Sequence, residues 1–422
     1  MTKSKKDGVL HKKISRRQLL KMTGIGAAGL AIGATGIGGI LSTIGKDWIA
    51  EDEAPPAKNS VNFYGDHQAG ISTPSQTHIY FVALDVVVKT KSELQQLFKD
   101  WTPLATKMMR GEIIGTASTD MIPPKDTGEA LGLDAQNLSL TFGVGESLFK
   151  KINLGDKKPT QLKKLPHFPK DQLVEAYSNG DICIQACADD PQVAFHAIRN
   201  LVRAASGRVT LKWSQAGFNA IAKKDGHSQT PRNLFAFKDG TENPRAKEDL
   251  NKVVWVQHGE SKPWMTGGTY LIARRIQMHL ETWDRTALDE QEATFGRHRN
   301  SGAPLGKDGE YDAMEIERKD EDGHLIVPNT SHVFLAKSVK ARLLRRSYSY
   351  VSGVVDSTGT HDAGLLFISF QKDPQQFIDI QNSLGRLDKM NEYITHRGSA
   401  MFACFPGVRK GSYIGETLFS TL

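Results

Sequence analysis

Cysteine is scarce in this chain: Cys183, Cys187 and Cys404 are the only three among 422 residues. So few exclude a fold stapled by a disulfide framework. Cys183 and Cys187 stand four apart in a strand-like run, about 13 Å apart on one face at the rise of a strand. That is beyond the reach of a bridge. Neither a Cys-x-x-Cys pair nor Cys-x-x-Cys-His occurs, which argues against cysteine-rich zinc sites and thioether-linked haem. Excess charge is also missing once the first 21 residues are set aside. They hold eight Lys or Arg and one acid, Asp7, and so carry the whole net charge of +7; the other 46 basic and 46 acidic residues cancel. A body that binds nucleic acid keeps a basic surplus, so no nucleic-acid partner is expected. Low-complexity sequence is absent beyond the N-terminus.

The N-terminus itself reads as an address. Ser15-Arg16-Arg17-Gln18-Leu19-Leu20-Lys21 precedes an uncharged stretch, 22–45, that contains eight glycines. Paired arginines before a weakly apolar segment match a twin-arginine export signal. An ordinary membrane anchor needs a better helix former than this glycine-rich run. No Ala-x-Ala cleavage site precedes the acidic, Pro-rich segment Glu51-Asp52-Glu53-Ala54-Pro55-Pro56. Both cleavage and retention as an anchor therefore stay open, with the periplasm or the outer face of the cytoplasmic membrane as the expected location. The organisation expected is a signal or anchor over 1–50, a linker over 51–63, and two domains over 64–225 and 226–422.

Those two stretches share a design. Strands are expected over 79–88, 138–144 and 182–188, with a helix from 92 to about 109 after the first. Asp189-Asp190-Pro191-Gln192 then opens a helix, with Asp190 as N-cap and Pro191 at its first position. Ala194, Ala197, Ile198, Leu201 and Val202 fall on one face of it. Late in the chain a strand over 365–370 is followed by Lys372-Asp373-Pro374-Gln375 and a helix with Phe377, Ile380 and Leu384 inward. A strand over 270–278 runs into a helix from 282. Strand-helix-strand order, twice, predicts an α+β fold of tandem ferredoxin-like units packed together. The polar stretches 154–166 and 300–329 read as insertions or long loops.

The most informative residues are Ala236-Phe237-Lys238-Asp239-Gly240-Thr241-Glu242-Asn243-Pro244. Alone, Asp-Gly-Thr is a surface turn. Two later segments change that reading. His332 lies in Pro328-Asn329-Thr330-Ser331-His332-Val333-Phe334-Leu335-Ala336, and Arg345 lies in Leu344-Arg345-Arg346-Ser347-Tyr348-Ser349-Tyr350, where the strand-like pattern argues for burial of one of the two arginines. Acid, histidine and arginine in this order resemble the dye-decolourising haem peroxidases, and within them the exported deferrochelatase/peroxidase branch. The segments 65–71, 180–203, 267–283 and 398–407 fit the same family, so the resemblance spans nearly the whole exported body. Two departures stand out: the family's Gly-x-x-Asp-Gly begins here with Ala236, and Ser347 replaces a glycine. Alanine at 236 predicts a turn without positive φ at that residue.

The resemblance implies a barrel of the dimeric α+β type with one haem b per chain, held in the C-terminal half. It implies that His332 is the axial iron ligand, that Asp239 takes and returns the peroxide proton, and that Arg345 stabilises charge as the O–O bond breaks. Gly240, Thr241, Glu242, Lys337 and Ser338 would border the haem, and Leu365 and Phe367 would wall it or simply fill a strand core. A carboxylate partner for the iron-bound imidazole is expected in Asp388-Lys389-Met390-Asn391-Glu392-Tyr393, with Asp388 favoured over Glu392. Implied partners are hydrogen peroxide, a reductant (ferrous iron, haem or porphyrin, a phenol or dye), an iron-uptake permease with its extracytoplasmic partner, and further copies of the chain in a homo-oligomer. The implied role is iron acquisition. A non-catalytic haem-binding or haem-delivery protein is the rival reading; it needs His332 but neither Asp239 nor Arg345. A chlorite-decomposing relative on the same fold is a third, which the Asp-Gly-Thr motif disfavours.

Overall fold

Antiparallel strands β1 (His78–Val86), β2 (Ser139–Gly145), β3 (Ile182–Ala188) and β4 (Val209–Phe218) lie side by side in the order β4-β1-β3-β2. The computed structural model describes residues 59–420, apart from 117–118, 222, 225–226 and 356. The expected export signal lies outside the described residues. After a small hairpin of β5 (Lys223–Lys224) and β6 (His227–Ser228), the first pattern returns. It comprises β7 (Thr269–Met278), β9 (Tyr348–Val355), β10 (Thr360–Gln371) and β11 (Ile394–Cys404), ordered β11-β7-β10-β9, with the two-residue β8 (Leu344–Arg345) against β10. The order within each set is the same: fourth, first, third, second. β11 pairs with β2 and β4 with β9, so the sheets close into one eight-stranded barrel without a free edge. This is the expected α+β fold of tandem ferredoxin-like units.

Alternation along the strands sorts side chains to the two faces. Phe81, Cys187, Trp213, Leu271, Tyr348 and Phe402 fill the barrel interior. Val82 and Leu84 face outward onto helices α1 (Lys91–Met109) and α2 (Pro191–Ala204). α1 starts at a capping box in which Thr90 accepts from the Glu93 amide while Glu93 reaches back to the Thr90 amide. α2 starts as its sequence says: Asp190 accepts from the amides of Gln192 and Val193, and Pro191 occupies the first turn. Leu94, Leu97, Phe98 and Trp101 of α1 and Ala194, Ala197, Ile198 and Leu201 of α2 then fill the layer above the sheet.

In the second half this layer is open. Its helices are α3 (Leu288–Phe295), α4 (His332–Ser338) and α5 (Gln375–Leu387). Ile380 and Leu384 of α5 line a cavity against the outer side of β7, β10 and β11, while Phe377 at the start of the helix packs on Phe367 of β10 and on Phe168. α5 begins with Pro374 already helical, and Asp373 accepts from the Gln375 amide at 2.9 Å. The three cysteines are free and buried. Loop 300–329 contains neither helix nor strand. Strands β4, β9 and β11 are additions to the strands expected from sequence. Along β4, Leu211 and Phe218 point outward and are exposed, which hides the alternation. No helix among the described residues is long and apolar enough to cross a membrane.

Candidate active site

The turn that carries Asp239 is built by Asn233. Its side-chain oxygen accepts from the amides of Phe235 (3.0 Å) and Phe237 (3.3 Å), curling the chain on itself. Phe235 and Phe237 are thereby driven into a buried aromatic cluster with Trp283 and Phe295, where Phe237 stacks on Phe295 at 3.8 Å. Ala236 sits between them with φ of 69°, in the left-handed region. The expectation that alanine there avoids positive φ is therefore wrong. The reason is tertiary: Arg232 holds the Ala236 carbonyl at 2.7 Å, the Ala236 amide donates to the Asn233 carbonyl at 2.9 Å, and both neighbours are anchored in the core. A Cβ in this conformation costs about 1–2 kcal/mol. The greater freedom of glycine in the unfolded chain takes back about 0.5–1 kcal/mol. Ala236→Gly is thus expected to stabilise the fold by roughly 0.5–1 kcal/mol, read as a higher urea midpoint with unchanged slope.

Long loop 300–329 fastens this turn. Arg232 also donates to the carbonyls of Arg299 (2.5 Å) and Asn300 (2.6 Å). Glu310 pairs with Lys238 and accepts from Thr241 Oγ1 at 3.0 Å. Arg297, its guanidinium buried, donates to Glu242 at 3.0 Å and to the carbonyls of Gly302 and Glu310.

Arg345 reaches the turn through Asn243. The Asn243 amide donates to the Arg345 carbonyl at 2.7 Å and its oxygen accepts from the Arg345 amide at 3.0 Å, a two-bond clamp between segments 102 residues apart. Arg345 Nη1 then lies 2.9 Å from Asp239 Oδ1. Arg346, next along the chain, is the buried arginine of the pair; it points the other way and donates to Thr73, Pro74 and Gln76.

His332 is the first residue of α4, and its Nδ1 lies 2.7 Å from Asp388 Oδ2. Asp388 is buried and caps the turn that follows α5, its other oxygen accepting from the Met390 amide at 2.9 Å. A carboxylate only accepts, so Nδ1 carries a proton, and in the neutral imidazole the lone pair is then on Nε2. Glu392, the alternative partner, is exposed.

All four side chains meet on one cavity of about 590 Å³. Thr241, Glu242, Lys337, Leu365 and Phe367 line it as expected. Gly240 and Ser338 do not: Gly240 serves the turn with φ of 110°, and the Ser338 hydroxyl turns back to the Leu335 carbonyl at 2.8 Å. Arg274, Gln381 and His396 also line the cavity, and sequence reasoning passed over them. Burial, with the Arg274 guanidinium and His332 nearby, holds His396 well below the ordinary histidine range.

The family models for the N-terminal and C-terminal parts of Dyp-type peroxidases match residues 68–219 and 230–409. The chain belongs to the Dyp-type peroxidase family. It is 36% identical over 417 residues to the deferrochelatase of Escherichia coli K12, covering 96% of each chain. It is 37% identical over 418 residues to the deferrochelatase of Shigella sonnei, again covering 96% of each. A DyP-type peroxidase structure from Streptomyces coelicolor superposes with a TM-score of 0.81 at 34% identity, covering 87% of this chain and 100% of that one. Ferric DtpA from Streptomyces lividans gives 0.80 at 34% identity, with the same coverage. The protein is thus a haem peroxidase, and its cofactor is haem. The cavity fits that group: its volume is in the range of cofactor sites, its walls are mainly apolar, and one imidazole has a free lone pair fixed by a carboxylate.

Proposed function

We propose that the protein is exported by the twin-arginine route and reduces hydrogen peroxide with Asp239, Arg345 and a haem held by His332. Residues 226–422 form the haem-binding unit and 64–225 the unit that braces it. The observation that carries the reading is the pairing of Asp239 with Arg345, and of His332 with Asp388, on a single haem-sized cavity. When bound, haem supplies the iron that accepts peroxide and passes on electrons. Asp239 receives the proton from the near oxygen of peroxide and returns it to the departing one. Arg345, fixed through Asn243, offers a permanent cation to the negative charge on that oxygen. His332 would hold the iron, and Asp388, at 2.7 Å from Nδ1, would keep the imidazole in one tautomer and strengthen it as a donor. A haem carrier needs no such acid-arginine pair, so the enzyme is the better reading.

The proposed role is iron acquisition. Peroxide becomes two waters by taking two protons and two electrons, and two ferrous ions supply those electrons by becoming ferric. The ferric product would pass to an uptake permease and its extracytoplasmic partner. The relatives' name, deferrochelatase, adds removal of iron from a chelate, with haem as the candidate. Purified holoprotein mixed with peroxide and ferrous iron should consume them in a 1:2 ratio. Anaerobic incubation with a reductant and an iron chelator should yield the red fluorescence of metal-free porphyrin. Dye oxidation without either result would leave the peroxidase intact and remove the iron role.

A further inference from the structure

Exposed apolar side chains are not evenly scattered over this protein. Of the fifteen large ones among the described residues, five (Ile113, Met121, Ile122, Leu131 and Leu133) fall in the connection between α1 and β2. Met121 is 91% exposed and Leu131 63%. Single exposed apolar residues are ordinary, whereas a cluster marks a surface that something covers. The connection is also held firmly. Buried Asp126 closes its neck: the carboxylate accepts from the amides of Ile114 (3.0 Å) and Gly128 (2.8 Å), and the Asp126 amide donates to the Gly115 carbonyl at 3.2 Å. Two residues of α2 pin it from below. His196 Nε2 lies 2.7 Å from Asp126 Oδ1, and the Asn200 amide donates to Thr127 Oγ1 at 2.8 Å. Ile113, Leu131 and Leu133 border one shallow hollow against Val193 of α2, and Met121 and Ile122 lie beyond the neck. The fold displays these side chains; it does not merely fail to bury them.

We propose that this connection dips into the surface of a lipid bilayer and gives the folded body a membrane contact of its own. The inference rests on the export reading above only for which face of the membrane is met. Three observations favour lipid over other occupants. The described residues begin at Asn59, whose side chain donates to Asp134 Oδ2 at 3.0 Å and whose carbonyl accepts from the Asn137 amide. The polypeptide that leads back through 46–58 to the weakly apolar stretch 22–45 therefore departs from the foot of this same connection. Charge beside the cluster is balanced, since Arg110 faces Glu112 at 3.7 Å and Arg199 pairs with Glu129, so neither an acidic nor a basic partner is selected. Five side chains on a narrow projection also fall short of a stable protein interface, about 800 Å² per partner. A few apolar groups pushed into the boundary between headgroups and acyl chains suffice for a protein to rest on lipid.

The test attaches an environment-sensitive fluorophore to the full-length holoprotein at Met121→Cys. Cys183, Cys187 and Cys404 are buried and should stay unlabelled. Phosphatidylcholine vesicles carry no net charge and so isolate apolar insertion. On adding them the emission should move to the blue. Nitroxide-labelled lipid should quench it at least about twofold, because interfacial apolar groups sit about 5–10 Å into the headgroup boundary. The same label at Val354→Cys, an exposed apolar position of β9, should show neither change. Adding Ile122→Ser, Leu131→Ser and Leu133→Ser to the Met121→Cys protein should cut the quenching severalfold. The N-terminal sequence is intact in that variant, so the loss separates this contact from any made by residues 22–45. An unchanged Soret band and peroxide turnover check that it folds. A label at 121 that ignores vesicles, or is quenched no more than the label at 354, overturns the proposal. So does a blue shift that rises with protein concentration alone, which would make the surface a contact between copies, or one that appears only when the vesicles carry the permease. Export is scored separately by cell fractionation: a wholly cytoplasmic chain fails that reading and leaves the vesicle result standing.

Discussion

Asp239→Ala is expected to leave haem bound with an unchanged Soret band and to lower peroxide turnover by roughly 10²–10⁴, the contribution of a positioned proton acceptor. The separation of binding from turnover follows from how the turn is held. Asn233, Arg232 and Glu310 fix it through residues other than the acid. Removing the carboxylate should therefore leave the turn standing. Arg345 should also stay in place, because Asn243 grips its backbone and not its guanidinium. Asp239→Asn is the sharper version: it preserves shape and a hydrogen bond to Arg345 but cannot take a proton. It should be about as slow as the alanine variant. Arg345→Leu should lose about 10²–10³, the scale of one fixed charge-stabilising donor. The double variant should be little worse than Asp239→Ala, since residues that act as a unit are not additive. Stopped-flow mixing of each holoprotein with peroxide measures all of these. Normal turnover in Asp239→Asn would remove the acid from the mechanism.

Much of this site was visible in the residues themselves, and the reasons differ. Asp239, His332 and Arg345 lie in short local segments whose residue types carry chemistry, so a linear reading finds them. Asp388 was narrowed to a six-residue stretch, and only the turn after α5 decides between it and the exposed Glu392. The clamp that Asn243 makes on Arg345 bridges 102 residues and has no local signature. Ala236 was misread because backbone preference is a local rule, while Arg232 and the buried Phe235 and Phe237 impose the left-handed conformation from outside. Arg274, Gln381 and His396 are harder still. They come from a strand, a helix and another strand, and only barrel register together with the open layer under α5 brings them to one wall. The duplication was legible through the repeated strand and Asp-Pro-Gln helix start, although the strand order and β4, β9 and β11 were not. Barrel closure depends on the pairings β11–β2 and β4–β9, which are contacts between halves.

His332 and Asp388 should separate holding the iron from tuning it. His332→Ala removes the one cavity imidazole whose lone pair is fixed by a carboxylate, and haem should be lost on gel filtration; added imidazole should restore a Soret band by entering the space left. Asp388→Asn acts more subtly. The Met390 amide can still be capped, so the turn after α5 should persist. A neutral carbonyl accepts the Nδ1 proton less strongly than a carboxylate, so the imidazole becomes a poorer donor to ferric iron. Haem affinity should fall about 10–100-fold, the usual cost of losing such a partner. The ferric state is stabilised by electron donation more than the ferrous one, so the midpoint potential should rise. A merely structural role for Asp388 would move the melting temperature and leave the potential alone. Spectroelectrochemistry of Asp388→Asn beside Glu392→Gln tells these apart: a shift in the first and none in the second is expected, and the reverse would hand the role to Glu392.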